Sequence, residues 1–384
     1  MDDFWDELPP PSFSCGPPKR ARSKGREPKR RVRGKSAKKR SPSARRTKKL
    51  KIGSDCAGLL TEAIALEEMD HGLGVEHVLV SESDSKARAL ILENFPINVR
   101  IEKDILARDV SSAAECDIYF CGFPCQPFSL MGKKQGELDQ QGRGIIAHAC
   151  IAYIVAKLPK AFVLENVKGF LTKRHRELRK HVLRELRRAN MGGNPAYKVR
   201  MRLLNCNKYG LPQSRPRVYI VGVRNDCVAK SGRTFEWPEP IPQPPLATIL
   251  DAKRYPPGDC IPTSNHHLKQ MLEAMKHIEL HGGDMCGPWV ADLENGFKKP
   301  NIRFDCTPCL TRRRCQAQAF WVFSHGRRLN AREMLRLQGL SAKRYSRPLC
   351  VSEADFRGMV GNAFCVNVIK SLLRNILPAI GFAG

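Results

Sequence analysis

At 384 residues the chain is long enough to bury a large core in one or two domains. Its 66 lysines and arginines against 38 aspartates and glutamates give a net charge of +28, which favours an anionic partner and above all nucleic acid. The sequence shows no apolar run of about 18 residues, so no membrane span is expected. The acidic first residues argue against a presequence.

Residues 1–50 have the composition of a basic tail, rich in proline, serine, lysine and arginine. Residues 1–51 hold 18 basic residues against 5 acidic ones. Apolar side chains are too few to offset the entropy lost on ordering, so the tail is predicted to be disordered. Its basic clusters at 19–22, 29–33 and 38–40 are typical of nuclear-import signals and would also bind phosphates, which predicts a nuclear protein. The alternative is an inert, solubilising tail.

A strand–turn–helix–strand pattern follows the tail. Residues 51–55 read as a strand, 61–69 as a helix and 76–80 as a second strand that precedes Glu82. This order suits a nucleoside cofactor, because helix amides face its polar end and an acid after the second strand can bind ribose hydroxyls. Glu82 is the candidate for the ribose, unless it is only a surface acid at a strand end. Asp104, after a short strand at 99–101, is the candidate for the adenine amino group.

A stiff loop follows the next predicted strand, residues 117–120. It reads Gly122-Phe123-Pro124-Cys125-Gln126-Pro127, with a cysteine between two prolines. Each proline fixes its own backbone and removes an amide donor, so the loop is not helical. A thiol held at the mouth of a strand is where a nucleophile would lie in an open α/β sheet.

Two further polar blocks flank buried strands. A helix is predicted over 145–156, and the strand at 160–164 ends in Glu165-Asn166-Val167. Between strands at 201–205 and 218–223 lies Gln213-Ser214-Arg215-Pro216-Arg217. Arginines two apart on an extended segment project to one face, so both could converge on an anion or a base carbonyl. Surface salt bridges are the alternative reading of these arginines.

Residues 225–326 have weak periodicity after a proline-rich linker at 237–245. The run Thr311–Arg314 is a candidate phosphate contact. Cys306, Cys309 and Cys315 lack a second close-spaced ligand pair, so we expect free thiols and no structural metal. The 15 cysteines of the chain are scattered, which predicts mostly reduced thiols in an intracellular protein.

Taken in order, these blocks resemble those of the cytosine-5 DNA methyltransferases, which use S-adenosylmethionine. The resemblance rests on the loop 122–129, the Glu165 and Gln213 blocks, Arg332-Glu333 with 336–339, and Gly361-Asn362, which is predicted to open a helix. It covers about residues 51–224 and 327–372. It implies an α/β fold with a Rossmann-like methyltransferase sheet and a smaller target-recognition domain. The implied divisions are a tail at 1–50, a catalytic domain at 51–235, target recognition at 236–326 and a returning segment at 327–384.

The resemblance also implies roles for individual residues. Cys125 would add to ring carbon 6 of cytosine, Glu165 would contact nitrogen 3, Arg217 would hold the carbonyl oxygen, and Arg215 would support the loop or a phosphate. The target base would be flipped out of duplex DNA. The other residues of the target-base loop would be Phe123, Pro124, Gln126 and Asn166. The residues implied for the cofactor are Asp55, Gly58, Glu82, Asp104, Ile105, Gly122 and Asn362.

The first block departs from the family pattern. Cys56 stands at the usual aromatic position, and Leu60 and Thr61 stand at two usual glycines. Asp55 is offset from the usual acid position and is the residue we expect to compensate. Two alternatives to a nuclear DNA methyltransferase stay open. One is a tRNA methyltransferase, because one branch of the family acts on RNA, and the other is a catalytically silent nucleic-acid-binding protein of the same fold.

Overall fold

The computed structural model describes residues 49–69, 72–124, 145–252, 261–296, 299–345 and 350–382. All of them belong to one compact unit, Thr47–Gly384. The predicted disorder of the basic tail concerns residues outside the described ones. Cys125 and Gln126 of the predicted nucleophile loop also lie outside them.

The described residues form a mixed α/β structure. The strands are β1 (Leu50–Asp55), β2 (Val75–Ser81), β3 (Ile101–Glu102), β4 (Ile118–Cys121), β5 (Ala161–Val167), β6 (Asn190–Met191), β7 (Asn194–Pro195), β8 (Tyr197–Asn205), β9 (Pro216–Arg224), β10 (Trp289–Asp292), β11 (Ile302–Phe304), β12 (Phe320–Val322) and β13 (Arg327–Arg328). The helices are α1 (Thr61–Glu67), α2 (Ser85–Asn94), α3 (Ile145–Lys157), α4 (Arg176–Arg188), α5 (Asn225–Ser231), α6 (Asn265–Leu280), α7 (Arg312–Gln316), α8 (Ala331–Leu337), α9 (Glu353–Asn362) and α10 (Val366–Ala379).

The main sheet has the strand order β3-β2-β1-β4-β5-β9-β8. Strand β1 pairs in parallel with both β2 and β4, while β9 runs antiparallel to β5 and β8. The chain order therefore reverses between β1 and β4, and in open α/β sheets ligands bind beyond the carboxyl ends of the strands at such a point. This architecture confirms the predicted fold class.

Helices cover both faces of the main sheet, whose central strands β4 and β5 are buried along nearly their whole length. Helices α1, α2, α5 and α10 share one core cluster with the sheet, and α3 and α4 share the other. Leu178, Val182 and Leu186 form an apolar stripe on α4 that is buried in the second cluster. Helix α4 is thus anchored by one face and leaves its lysines and arginines on the other.

A smaller sheet with the order β11-β10-β12-β13 lies later in the chain. Helix α6 packs against it through a separate core cluster that contains Met271, Ala274, Ala291, Leu293 and Trp321. After this sheet the chain returns to the main one, where α10 packs against α1.

The sequence predicted that Gly361-Asn362 opens a helix, and this prediction is wrong. Both residues end α9, and α10 begins only at Val366. Ala363 between them is extended, with φ −60° and ψ 152°, which breaks the helical path. The block therefore lies at a corner between two helices.

Gly361 is required by a close backbone approach. A Cβ atom at this position would lie 2.5 Å from the carbonyl carbon and oxygen of Thr311, which is shorter than any normal contact. We expect Gly361→Ala to lower the free energy of unfolding by about 2–3 kcal/mol, because the neighbour is backbone and cannot rotate away. Gly296→Ala is the matched control, because a Cβ there meets nothing within 4 Å. Equal urea midpoints for the two variants would contradict this account.

The cysteines include one pair that the sequence did not predict. Cys206 and Cys365 form a disulfide across 159 residues of chain, and the other described cysteines are free thiols. The described residues contain no group of three or more side chains that could hold a metal ion. None of the helices in the described ranges is long and apolar enough to cross a membrane.

Candidate active site

A buried ion pair joins the ends of two neighbouring strands. Glu165 near the end of β5 is paired with Tyr219, and Arg217 at the start of β9 is paired with Val167, so the two residues lie two rungs apart in the antiparallel pair. The Arg217 Nε atom lies 3.0 Å from Glu165 Oε1, and each side chain is only about a tenth exposed. Arg217 also donates to the Sγ atom of Cys309 at 3.6 Å. The arrangement presents a carboxylate and a guanidinium together at the carboxyl end of the parallel strands.

Asn166 anchors the stem of the predicted nucleophile loop beside this pair. Its Nδ2 atom donates to the carbonyl oxygen of Phe123 at 3.1 Å, and its Oδ1 accepts from the Val167 amide at 2.8 Å. The Phe123 ring is buried and packs edge-on against Phe170, with ring centroids 5.9 Å apart. Pro124 is exposed and is the last described residue before Cys125. The stem of the loop is therefore fixed next to Glu165.

Arg215 approaches Arg217, and both donate to the Sγ atom of Cys309, Arg215 at 4.0 Å and Arg217 at 3.6 Å. The Arg215 guanidinium is fully buried and also donates to the carbonyl oxygens of Leu310, Gly361 at 3.0 Å and Ala363 at 2.9 Å. These contacts hold distant segments of the chain together, so Arg215 acts as a brace within the core.

Two buried glutamines complete the same brace. Gln213 donates to the Leu337 carbonyl at 2.7 Å and accepts from the Leu310 amide at 3.2 Å. Gln338 donates to the Val360 carbonyl at 2.8 Å. The Gln213, Arg332–Gly339 and Gly361 blocks therefore meet in space, and the sequence analysis did not predict these contacts.

At the point where strand order reverses, the turn after β1 meets the end of β2. The Gly58 amide donates to Glu82 Oε2 at 2.8 Å, and the Asp84 amide donates to Glu82 Oε1 at 2.9 Å. Glu82 is only half-buried, and its carboxylate oxygens have lone pairs left for further donors. Gly58 and Glu82 of the predicted cofactor residues are thus brought together.

Asp55 does not join them, which corrects the prediction that it compensates for the altered first block. Its side chain is buried and accepts two hydrogen bonds from Arg108, at 2.5 and 2.7 Å. Tyr119 and Ser81 also donate to it, at 2.5 and 2.6 Å. Its acceptor positions are filled within the protein, so it is not available to a ligand.

The remaining predicted cofactor residues lie around the same edge of the sheet. Asp104 is exposed, accepts from the Leu106 amide at 2.9 Å and lines a cleft of about 560 Å³. Ile105 is buried beside it, and Asn362 is exposed at the end of α9. A Cβ at Gly122 would lie 2.7 Å from the Phe364 ring, so only glycine allows this ring to lie over the loop stem.

Glu62 is a buried carboxyl group that the sequence analysis did not predict. It lies in the first turn of α1, and its Oε1 accepts from the Ser54 hydroxyl at 2.5 Å. Burial raises the pKa of Glu62 from 4.5 to about 7, against the opposing effect of the Ser54 hydrogen bond. The folded protein therefore binds a proton here that the unfolded chain has already released at pH 6.

This shift predicts a pH-dependent stability. The stabilisation from protonated Glu62 is complete below about pH 4.5 and is lost as the pH rises through about 7. We expect the unfolding free energy of the wild type to fall, relative to Glu62→Gln, by up to about 3 kcal/mol between pH 5 and 7.5. Urea unfolding at both pH values tests this, with Glu67→Gln on the same helix as control. Parallel pH profiles for wild type and Glu62→Gln would refute it.

Comparison with known proteins decides the family. The model of the C-5 cytosine-specific DNA methylases matches residues 51–378. The chain belongs to this family. It is 31% identical over 299 residues to the type II methyltransferase M.NgoBI of Neisseria gonorrhoeae, covering 78% of this chain and 85% of that relative. It is 29% identical over 313 residues to M.HaeII of Haemophilus aegyptius, covering 81% of this chain and 88% of that relative.

Solved structures show the same fold. The Entamoeba histolytica methyltransferase EhMeth superposes with a TM-score of 0.57 at 15% identity, covering 86% of this chain and 98% of that one. The Dnmt2 methyltransferase of S. pombe gives a TM-score of 0.55 at 18% identity, covering 87% and 100%. At these identities the likeness concerns the fold alone.

The relatives also overturn one prediction. A nuclear location was expected from the basic clusters in residues 1–50. The curated relatives are type II methyltransferases of bacteria, whose cells have no nucleus. The nuclear prediction is therefore wrong, and the basic clusters carry no argument about location.

The site fits the cofactor that a methyltransferase of this family uses, S-adenosylmethionine. Glu82 offers a half-buried carboxylate for hydroxyl groups at the reversal point of the sheet. One oxygen of Glu62 is buried without a hydrogen-bond partner at the same edge. Acceptors thus occur together where the fold binds ligands.

Proposed function

We propose that the protein methylates carbon 5 of cytosine in duplex DNA through a covalent adduct between Cys125 and a flipped-out base. The observation that carries this proposal is the buried Glu165–Arg217 pair beside the Asn166-anchored stem of the Cys125 loop. The family description names DNA and carbon 5 of cytosine, which favours DNA over the tRNA alternative.

The chemistry assigns one task to each side chain. Carbon 5 of cytosine is a poor nucleophile, so the Cys125 thiolate first forms a bond to carbon 6, and the electron pair of the ring double bond becomes available at carbon 5. Glu165 brings a proton that it shares with nitrogen 3, and Arg217 donates to the carbonyl oxygen, as negative charge enters the ring. When bound, S-adenosylmethionine supplies the electrophilic methyl group. Loss of the carbon 5 proton to solvent or a base then expels Cys125 and restores the aromatic ring.

The fixed pair suits this task because it is arranged before the base arrives. Arg217 and Glu165 are already 3.0 Å apart in a site that is largely closed to water. Preorganised donors in such a site do not need to reorient during the reaction. The free energy of reorientation is therefore not added to the barrier, which is the main source of electrostatic catalysis. The base cannot reach the pair from inside a duplex, so it must be flipped out, at a few kcal/mol of unstacking.

We propose that the smaller sheet with α6, within residues 236–326, recognises the target sequence. The catalytic part would then be 51–235, completed by 327–384. Among the arginines of the Thr311–Arg314 run, Arg312 pairs with Asp84 at 2.9 Å and Arg314 with the buried Asp292 at 2.6 Å. Arg313 pairs with Glu294 at 3.3 Å, but its side chain is 88% exposed, which supports it as the phosphate contact.

For the cofactor, we propose Gly58, Glu82 and Gly122 as the residues at the reversal point. Glu82 would accept from the ribose hydroxyls, and Asp104 from the adenine amino group. Asp55 is left out because its acceptor positions are filled by Arg108, Tyr119 and Ser81.

Transfer of labelled methyl from S-adenosylmethionine tests the proposal. Duplex DNA and total tRNA are offered in parallel to the wild type and to Cys125→Ser. We expect label in DNA cytosine and a loss of at least about 10³-fold in the variant, because a hydroxyl is a far weaker nucleophile than a thiolate. Label only in tRNA would move the protein to the RNA branch. Folded wild type without any transfer would favour the silent nucleic-acid-binding protein.

A further inference from the structure

One oxygen of Glu62 has no hydrogen-bond partner within the described structure. The Glu62 side chain is 1% exposed, and its Oε1 accepts from Ser54 Oγ at 2.5 Å. Its Oε2 is buried and makes no hydrogen bond. Buried acceptors are nearly always paired, so an orphaned carboxylate oxygen calls for a donor that the protein chain does not supply.

The register of the sheet puts Glu62 at the edge where the cofactor residues meet. Ser54, its hydrogen-bond partner, pairs with Val80 of β2 and with Phe120 of β4. Those strands end within two residues of Glu82 and Gly122. The orphaned oxygen therefore lies close to the carboxyl ends of β1, β2 and β4.

The turn between β1 and α1 is strained next to Glu62. Cys56 and Leu60 have φ values of 51° and 48°, a left-handed conformation that side-chain residues rarely adopt. Strained turns of this kind cluster at ligand-binding sites, where the surrounding structure maintains them. This turn directly precedes the helix that carries Glu62.

The other acids at this edge are either saturated by protein donors or open to solvent. Asp55 accepts from Arg108, Tyr119 and Ser81. Glu82 accepts from the amides of Gly58 and Asp84 and is half-exposed. Glu62 is thus the buried carboxyl group with an acceptor to spare.

A cationic donor suits a carboxylate in such a place best, because charge-assisted hydrogen bonds are the strongest and pairing offsets the cost of burying charge. S-adenosylmethionine carries one ammonium group, on its methionine part, while its adenine and ribose parts offer neutral donors. We infer that Glu62, oriented by Ser54, binds the ammonium group of the cofactor. It would thereby compensate for the altered first block, as Asp55 was expected to do. This inference rests on the proposed function, since it names a further residue of the same cofactor site.

Calorimetric binding of three ligands tests the inference without any turnover. S-adenosylhomocysteine carries the ammonium group, its des-amino analogue lacks only that group, and methylthioadenosine lacks the whole amino-acid part. We expect the wild type to bind S-adenosylhomocysteine at least tenfold more tightly than the des-amino analogue. Glu62→Gln should lose most of this preference and leave the affinity for the other two ligands within about twofold.

Two controls separate this effect from a general one. Glu82→Gln should lower the affinity for all three ligands alike, since the ribose is common to them. Glu67→Gln changes a partly exposed carboxylate of the same helix that pairs with Arg344, and it should change no affinity. If Glu62→Gln proves unfolded, Ser54→Ala supplies the second variant, and it should reduce the preference for the ammonium group.

The outcomes that overturn the inference are distinct from failure of the proposed function. A wild type that binds S-adenosylhomocysteine and the des-amino analogue equally overturns it without any variant. A folded Glu62→Gln or Ser54→Ala variant that keeps the full preference for S-adenosylhomocysteine over the des-amino analogue overturns it too. So does a variant whose affinity for all three ligands falls equally. Wild type that binds none of the three removes the cofactor site, and with it the proposed function.

Discussion

Replacing Glu165 with glutamine is expected to lower the rate of methyl transfer by about 10²–10⁴-fold while the protein stays folded. Glutamine keeps the shape of the side chain but cannot carry the charge that faces Arg217 at 3.0 Å, nor donate and accept a proton at nitrogen 3. The loss should appear mainly in kcat, because the interaction strengthens only as charge enters the ring. Single-turnover transfer to duplex DNA measures it directly.

The control for Glu165→Gln is a second ion pair of the same kind on the surface. Arg200 and Glu236 lie 2.6 Å apart, and the Glu236 side chain is 65% exposed. Glu236→Gln should leave the rate unchanged, because exposed pairs contribute little. A Glu165→Gln enzyme within a few-fold of the wild-type rate would remove nitrogen 3 from the mechanism.

Replacing Arg215 with methionine is expected to act on stability rather than on chemistry. Its guanidinium is buried and donates to three carbonyl oxygens, those of Leu310, Gly361 and Ala363. Methionine would leave these buried acceptors without donors, and we expect a loss of about 3–5 kcal/mol in the free energy of unfolding. Urea unfolding followed by circular dichroism measures this loss.

Comparison with two other arginines makes this prediction specific. Arg217→Met should abolish turnover at a smaller cost in stability, because Arg217 contacts the reacting site. Arg200→Met, in the exposed pair with Glu236, should change stability by less than about 1 kcal/mol. If Arg215→Met is as stable as wild type but inactive, Arg215 acts in the chemistry and the brace described for it is wrong.

Local signals made much of the fold predictable. Helix α2 occupies Ser85–Asn94, and Asp84 before it accepts from the amides of Lys86 and Ala87. An aspartate before a helical pattern is a start signal that can be read in the sequence. The strand that ends before Gly122 was likewise predictable, because a continuous apolar run that ends in turn residues is typical of a buried parallel strand.

Contacts between distant segments were not predictable in this way. The partners of Arg215 lie up to 148 residues away, and Asp55 lies 53 residues from Arg108. Nothing in a short window tells which of two nearby arginines faces the site and which braces the core. Glu62 was read only as part of a helix, because its burial depends on how α1 packs on the sheet. The same holds for Cys206 and Cys365, which meet only once the chain has folded.

The measurement that tests the central claim most directly is covalent trapping with a DNA duplex that carries 5-fluorocytosine. Fluorine at carbon 5 cannot leave as a proton does, so the bond from Cys125 to carbon 6 should persist after methyl transfer. We predict a stable protein–DNA adduct that forms only with S-adenosylmethionine present, maps to the peptide containing Cys125, and is absent in Cys125→Ser. An adduct on another residue, or methylated DNA cytosine without any trapped adduct, would contradict the account.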